Sequence, residues 1–292
     1  MTHSANHHTT EQADSAGPIE KIGLIAGQGD FPLLIAQAAQ SNGTHLLALC
    51  INGFTSPELP AKAAQSYWLE LGQLGRAIEL LKENGITHVM MAGRIPHNTI
   101  FQYRHFDWRA MKTLARAASK RADALLDTVC QEFARDGITV MESSAFLRNM
   151  MPTAGMLTTA RALSEDERRD VEFGYPIAKA VAGHDIGQTI IVKDKMVVAV
   201  EGIEGTDKCI RRAGELAGTG CVVVKVSKPD QDLRFDIPII GPGTVKSMKA
   251  AGATALALSS GRSLVLHREQ VITEADAAGI AILILDDKQT PI

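Results

Sequence analysis

The chain has 292 residues, 45% of them hydrophobic and 22% charged, with a formal net charge of −3. That length can bury one large core or two smaller ones, and the composition is that of an ordinary globular chain. The charge excludes a global pull toward nucleic acid, 4% aromatics exclude an extended stacking platform, and four scattered cysteines without a CxxC argue against a disulfide framework or a zinc site.

Residues 1–18 are polar and lack the apolar segment of a secretory signal, so a disordered tail with solvated histidines is expected. Further on, no apolar run reaches the roughly 18 residues of a spanning helix. KIGLIA (residues 21–26) then reads as a buried strand, followed by a turn of Gly27, Gln28, Gly29 and Asp30, with Pro32 where a helix begins. Strand, glycine turn and helix N-terminus together turn free amides toward an anion. The third glycine of a dinucleotide fingerprint is missing, and HLLALC is followed by Ile51 and Asn52 rather than by an acid.

Strands at SYWLEL, THVMMAG and ITVMES alternate with helical text at LGQLGRAIELLKENG and between Asp107 and Arg135. That rhythm predicts a mostly parallel sheet covered on both faces. Arg94, His97 and Asn98 fall just past a strand end, where such sheets collect ligands; Arg94 is the phosphate candidate among them. From 148 to 163 no period is visible, and these residues are expected to cross between a domain at 19–147 and another at 164–292. The second domain opens with Ser164 and Glu167 at capping-box spacing, and GQTIIVKDKMVVAVEG reads as a hairpin. Then comes AVEGIEGTDKCIRRAGELAGTGCVVVKVSKPDQDLRFDIPIIG, where carboxylates and bases gather at turns between apolar strands. Both signs there suit an anionic ligand held with a divalent cation.

In that span Thr206 is a candidate N-cap, with Asp207 favourable beside a helix N-terminus; Gly205, Thr206 and nearby amides could equally meet a phosphate. Lys225, Lys228, Arg234 and, past GPG, Lys246 are phosphate candidates. Pro238 fits a strand start or an edge. His267 reads as a structural histidine. No GxSxG elbow, Walker lysine loop or HExxH helix is present.

IAKAVAGHDIGQTIIVKDKMVVAVEGIEGTDKCIRRAGEL followed by KVSKPDQDLRFDIPIIGPGTV closely resembles the bacterial UDP-2,3-diacylglucosamine pyrophosphatase family known as LpxI, over residues 21–291. The resemblance implies two mixed α/β domains, the first Rossmann-like with a mostly parallel sheet, and a substrate cleft between them. It also implies hydrolysis of UDP-2,3-diacylglucosamine to UMP and 2,3-diacylglucosamine 1-phosphate, with Mg2+ or Mn2+ required. The family's essential aspartate falls on Asp236 in RFDIP, its EGTD on Glu204–Asp207 and its DIGQ on Asp185–Gln188. Asp236 and Asp207 are thereby assigned to metal and catalysis, Glu204 to substrate, and Asp185 and Gln188 to the uracil, the ribose or a metal-bound water. The implied setting is cytoplasmic, with transient association at the inner face of the inner membrane and room for a homodimer. This chain departs from the family's usual text at GQGDFP, RIPHN and KRADALL. A non-catalytic UDP-sugar-binding module and a nucleotide-sugar oxidoreductase or transferase stay open as other readings.

Overall fold

The computed structural model describes residues 19–95, 106–117, 122–229, 231–234 and 237–286. They divide near Thr139 into two compact units.

In the first unit, continuous apolar runs form β1 (Lys21–Ala26) and β2 (His45–Ile51), which pair in parallel from Lys21 opposite His45 to Ala26 opposite Cys50. Strand β3 (Gln65–Leu69) adds in parallel to β2. With β4 (His88–Ala92) and β5 (Thr139–Val140) on the other flank, the order is β3-β2-β1-β4-β5. This is the order of a nucleotide-binding half-sheet, whose switch point lies between the first and fourth strands. Helices α1 (Phe31–Ser41) and α2 (Leu74–Glu83) follow β1 and β3.

The helical text after Asp107 forms two helices, α3 (Trp108–Arg116) and α4 (Ala122–Ala134). Asp107 fixes the start of α3. Its Oδ1 accepts from the Ala110 amide at 2.7 Å and its Oδ2 from the Gly75 amide in α2, also at 2.7 Å. The strand expected at ITVMES shrinks to two paired residues, because the chain turns away after Val140.

In the second unit, β6 (Gly155–Met156) precedes α5 (Glu165–Gly183). The expected capping box is present: the Glu167 amide donates to Ser164 Oγ at 3.2 Å, and the Ser164 amide to Glu167 Oε2 at 2.8 Å. Strands β7 (Thr189–Lys193) and β8 (Met196–Val200) form the expected hairpin, turned by Asp194 and Lys195 at φ 52° and 55°. Next come α6 (Thr206–Ala217), β9 (Val222–Lys225), β10 (Ile239–Ile240), α7 (Pro242–Ala251) and β11 (Ala255–Ser259). The chain continues through β12 (Leu264–Val265), α8 (Arg268–Ala277) and β13 (Ala281–Leu285).

The main sheet has the order β6-β13-β11-β9-β7-β8. Strands β9, β11 and β13 run parallel, and β6 and β7 pair antiparallel to their neighbours. Its side chains alternate between two cores: Val223, Leu256, Leu258 and Ile282 pack with α6 and α7, while Val222, Val224, Ala255 and Ala257 pack with α5. The small parallel pair of β10 and β12 starts right after Pro238, as expected of a proline at a strand start.

Residues expected to cross between domains are built into this second unit. Strand β6 pairs with the edge of β13, and the amides of Thr159 and Ala160 donate to the Asp276 carboxylate. Arg161 forms a bidentate pair with Glu167, at 2.7 Å for both bonds, and also donates to the carbonyls of Gly279 and Thr254. A two-residue strand followed by polar hooks has no period to read, so it passes for a linker in the sequence.

Candidate active site

Two sets of turns at strand ends hold some of the residues singled out in the sequence. The first lies at the switch point of the N-terminal sheet. Past β1 and β4, Gln28 and Arg94 form an antiparallel bridge, each amide donating to the other's carbonyl at 3.0 Å. The two chains approach so closely that glycine is obligatory on both sides. A Cβ on Gly27 would lie 2.9 Å from the Arg94 carbonyl oxygen, and one on Gly93, already at φ 89°, would lie 2.7 Å from the Gly27 carbonyl carbon. Of Gly27, Gln28, Gly29, Asp30 and Arg94, backbone contacts bring Gly27 and Gln28 against Arg94. Asp30 occupies the N-cap of α1 without a side-chain cap bond, and the Arg94 side chain is exposed.

The second set surrounds the carboxyl end of β9. VVVK is a strand buried on both faces, so Lys225 at its end is only 6% exposed and its ammonium must find partners inside. It finds Thr206 Oγ1 at 2.9 Å and Thr189 Oγ1 at 3.3 Å; Thr189 is its direct neighbour in the β7–β9 pairing. Glu201 Oε2 stands 4.0 Å from the same nitrogen. Glu201 in turn accepts from the Thr206 hydroxyl at 2.8 Å and from the Gln188 amide at 3.3 Å. The DIGQ turn can reach it because residue 187 is glycine: a Cβ there would lie 2.2 Å from the Glu201 carbonyl oxygen. One residue set therefore joins the DIGQ turn, the EGTD turn and the end of β9.

Gly205, not Thr206, is the N-cap of α6, and it brings no side-chain cap. Thr206 is the first helical residue, and its hydroxyl turns inward to Glu201 and Lys225. Beside this core, Lys228 Nζ bonds Asp185 Oδ1 at 2.6 Å, with Asp185 in the left-handed region at φ 58°. Asp185, Gln188, Gly205, Thr206 and Lys225 thus fall around one strand end.

Other candidates are placed differently. Glu204 spans its own turn, accepting from the Gly202 amide at 3.1 Å and from Arg212 at 2.6 Å; those bonds hold its carboxyl below the usual range. Arg234 chelates Asp232 through Nε and one terminal nitrogen. Burial pushes the Asp232 carboxyl up, but the Arg234 bonds outweigh it and leave it lowered. Asp207 is exposed on the first turn of α6, and Lys246 is exposed on α7, one residue beyond the first turn the sequence implied. Asp236 lies outside the described residues, as do His97, Asn98, His105 and Asp230. Among the described residues no three His, Cys, Asp or Glu side chains come together as a metal cage. The four cysteines are buried thiols outside any disulfide, and burial pushes those of Cys50 and Cys209 up to about 11 and about 12.

Glu201 was missed. In the sequence it is one of several carboxylates in a charged turn, indistinguishable from Glu204. The usable signal was Lys225 itself: a lysine ending a fully buried strand needs a carboxylate nearby, and the end of the β7–β8 hairpin supplies one.

A polar set of this kind, at strand ends in a two-domain α/β protein, sits where such sheets ordinarily gather their ligands. Models of the LpxI N-terminal domain and the LpxI C-terminal domain match residues 21–150 and 153–283. The UDP-2,3-diacylglucosamine pyrophosphatase LpxI of Caulobacter vibrioides is 31% identical over 94% of this chain and 100% of its own length. The chain belongs to the LpxI family. Among solved structures, the CobK precorrin-6A reductase is 12% identical over 94% of this chain and 91% of its own, with a TM-score of 0.32. A biotin carboxylase domain of a thermophilic 2-oxoglutarate carboxylase is 13% identical, with a TM-score of 0.25. That match covers 60% of this chain, and the chain spans only 35% of the carboxylase domain.

Proposed function

We propose that this protein hydrolyses the diphosphate of UDP-2,3-diacylglucosamine, giving UMP and 2,3-diacylglucosamine 1-phosphate. The observation that carries the reading is the buried Lys225 ammonium beside the Thr206 hydroxyl at the start of α6. A diphosphate crowds negative oxygens, and its cleavage needs donors fixed in advance where charge gathers on the departing phosphate. Lys225 supplies a full positive charge there and the first-turn amides of α6 supply aligned donors. Thr206 passes a hydrogen bond to Glu201, which keeps the hydroxyl and the ammonium aimed at one place.

Water adds to one phosphorus, the bridging P–O bond breaks, and the second phosphate leaves with its oxygen. A divalent cation, Mg2+ or Mn2+, would supply further charge neutralisation. Such a cation needs only one or two carboxylates when phosphates complete its shell, and Asp207 and Asp236 would be the residues to hold it. Ile186 and Ile203 are exposed on the two turns that carry the polar set, and they supply apolar surface beside it.

The test is to incubate the full chain with UDP-2,3-diacylglucosamine and Mg2+ and to separate UMP from the lipid phosphate. The reading requires stoichiometric release of both without a redox cofactor. Binding without turnover would establish the non-catalytic module instead, and full turnover after exhaustive chelation would remove the metal from the scheme.

A further inference from the structure

Helix α3 carries a face that the hydrolytic site leaves unexplained. Along it Trp108, Met111, Lys112, Ala115 and Arg116 are exposed, at the i, i+3, i+4, i+7, i+8 spacing of one stripe. Trp108 is 78% exposed and Met111 53%, one turn apart, whereas Ala110 and Thr113 on the opposite side are buried. The helix holds Arg109, Lys112 and Arg116 and no acidic residue. In sequence it lies within a basic stretch: residues 104–121 contain six Lys or Arg against one Asp, in a chain of net charge −3.

Arg109, Arg116 and Arg135 all pair with Glu132, and Arg109 and Lys82 pair with Asp136, so four cations surround two carboxylates. These pairs and the Asp107 cap hold α3 in place while its outer stripe faces solvent.

We propose that this stripe of α3 docks the protein on an anionic lipid bilayer. A tryptophan and a methionine flanked by lysine and arginine on one helix face are what an interfacial helix presents: apolar groups for the acyl boundary and cations for the headgroups. A second copy of the chain fits less well. Trp108 and Met111 together offer on the order of 300 Å2, against roughly 800 Å2 per partner in a stable interface. One exposed tryptophan is also no stacking platform for a nucleic acid. The docking rests on the proposed diacylated substrate only for its purpose, since a two-chain lipid resides in such a bilayer; the surface itself is independent of the reaction.

The test is co-sedimentation of the full chain with phosphatidylglycerol-containing vesicles and with pure phosphatidylcholine vesicles. The intact protein is expected to pellet with the former alone, Trp108→Ser/Met111→Ser to bind at least about tenfold less, and Lys112→Glu about fivefold less. The chain has two tryptophans, so in a Trp68→Phe background a blue shift of emission on anionic vesicles reports Trp108 directly. Equal pelleting of the double variant, unshifted Trp108 emission in bound protein, or a dimer that the double variant splits would each overturn the proposal. So would binding to RNA with none to vesicles. Hydrolysis of a short-acyl, detergent-soluble substrate is expected to be unchanged in every variant, which also shows that each is folded. Vesicle binding without any hydrolysis would sink the reaction and leave the docking face standing; hydrolysis without vesicle binding would do the reverse.

Discussion

The turns after β1 and β4 and the turns around the end of β9 occupy comparable places, at the carboxyl ends of buried strands, yet they are filled in opposite ways. At the switch point of the first unit, Gln28 and Arg94 satisfy each other's backbone, and glycines are needed for the two chains to touch. Around β9, side chains do the joining: a buried ammonium, two threonine hydroxyls and a carboxylate. A glycine turn at a strand end therefore reports close backbone approach first, and the adjacent charged side chains report chemistry. The Arg94 side chain is exposed, and only its backbone takes part in that bridge.

Five substitutions break or sharpen that contrast. Asp236→Ala and Lys225→Ala are expected to have the largest effects, lowering kcat by at least about 10³-fold and about 10²–10³-fold respectively, read as UMP release per folded molecule. A fully active Lys225→Ala would reduce the β9 cluster to a structural ion pair. Next, Gly93→Ala is expected to cost about 3 kcal/mol of stability in a denaturant melt, because both its φ and the Gly27 backbone oppose a Cβ. If that variant melts normally but loses substrate affinity, the first turn is a ligand site after all.

Glu167→Gln, which breaks the pair with Arg161, is expected to cost about 3 kcal/mol at neutral pH. Burial alone would raise the Glu167 carboxyl. The Arg161 bonds, with those from Thr254 and the Ser164 amide, outweigh it and bring the value from 4.5 to about 2. The folded value is the lower one, so this stabilisation is complete above about pH 4.5 and lost as pH falls toward 2. Melting temperature in that window should fall less steeply in Glu167→Gln than in the parent. The smallest effect is expected from Arg94→Ala: a rise in KM of about tenfold or less with unchanged stability, since only its backbone takes part in the bridge.

Much of this was legible in the residues. β1 is KIGLIA to the residue, the Ser164–Glu167 box forms as spaced, and the β7–β8 hairpin turns where two lysines flank Asp194. Those elements announce themselves through local chemistry: continuous apolar runs, a cap and a turn. β5 and β6 do not, because two residues of strand leave no alternation to see. The site was half legible for the same reason. DIGQ and EGTD stand out as turns, but which carboxylate serves Lys225 depends on strand pairing between Thr189 and Lys225, a contact across 36 residues.

The short strand β6 has a consequence for handling the second unit alone. It covers the outer edge of β13, whose AILIL run is unbroken by charge, and the Leu157 amide extends that cover by bonding the Ile282 carbonyl at 2.9 Å. A fragment starting after Leu157 would leave that edge bare, with a row of unpaired amides and carbonyls on an uncharged β-forming segment. Such an edge recruits strands from neighbouring molecules. A few residues that look like slack between domains thus act as a guard against self-association, and where a shortened version begins decides whether it stays in solution.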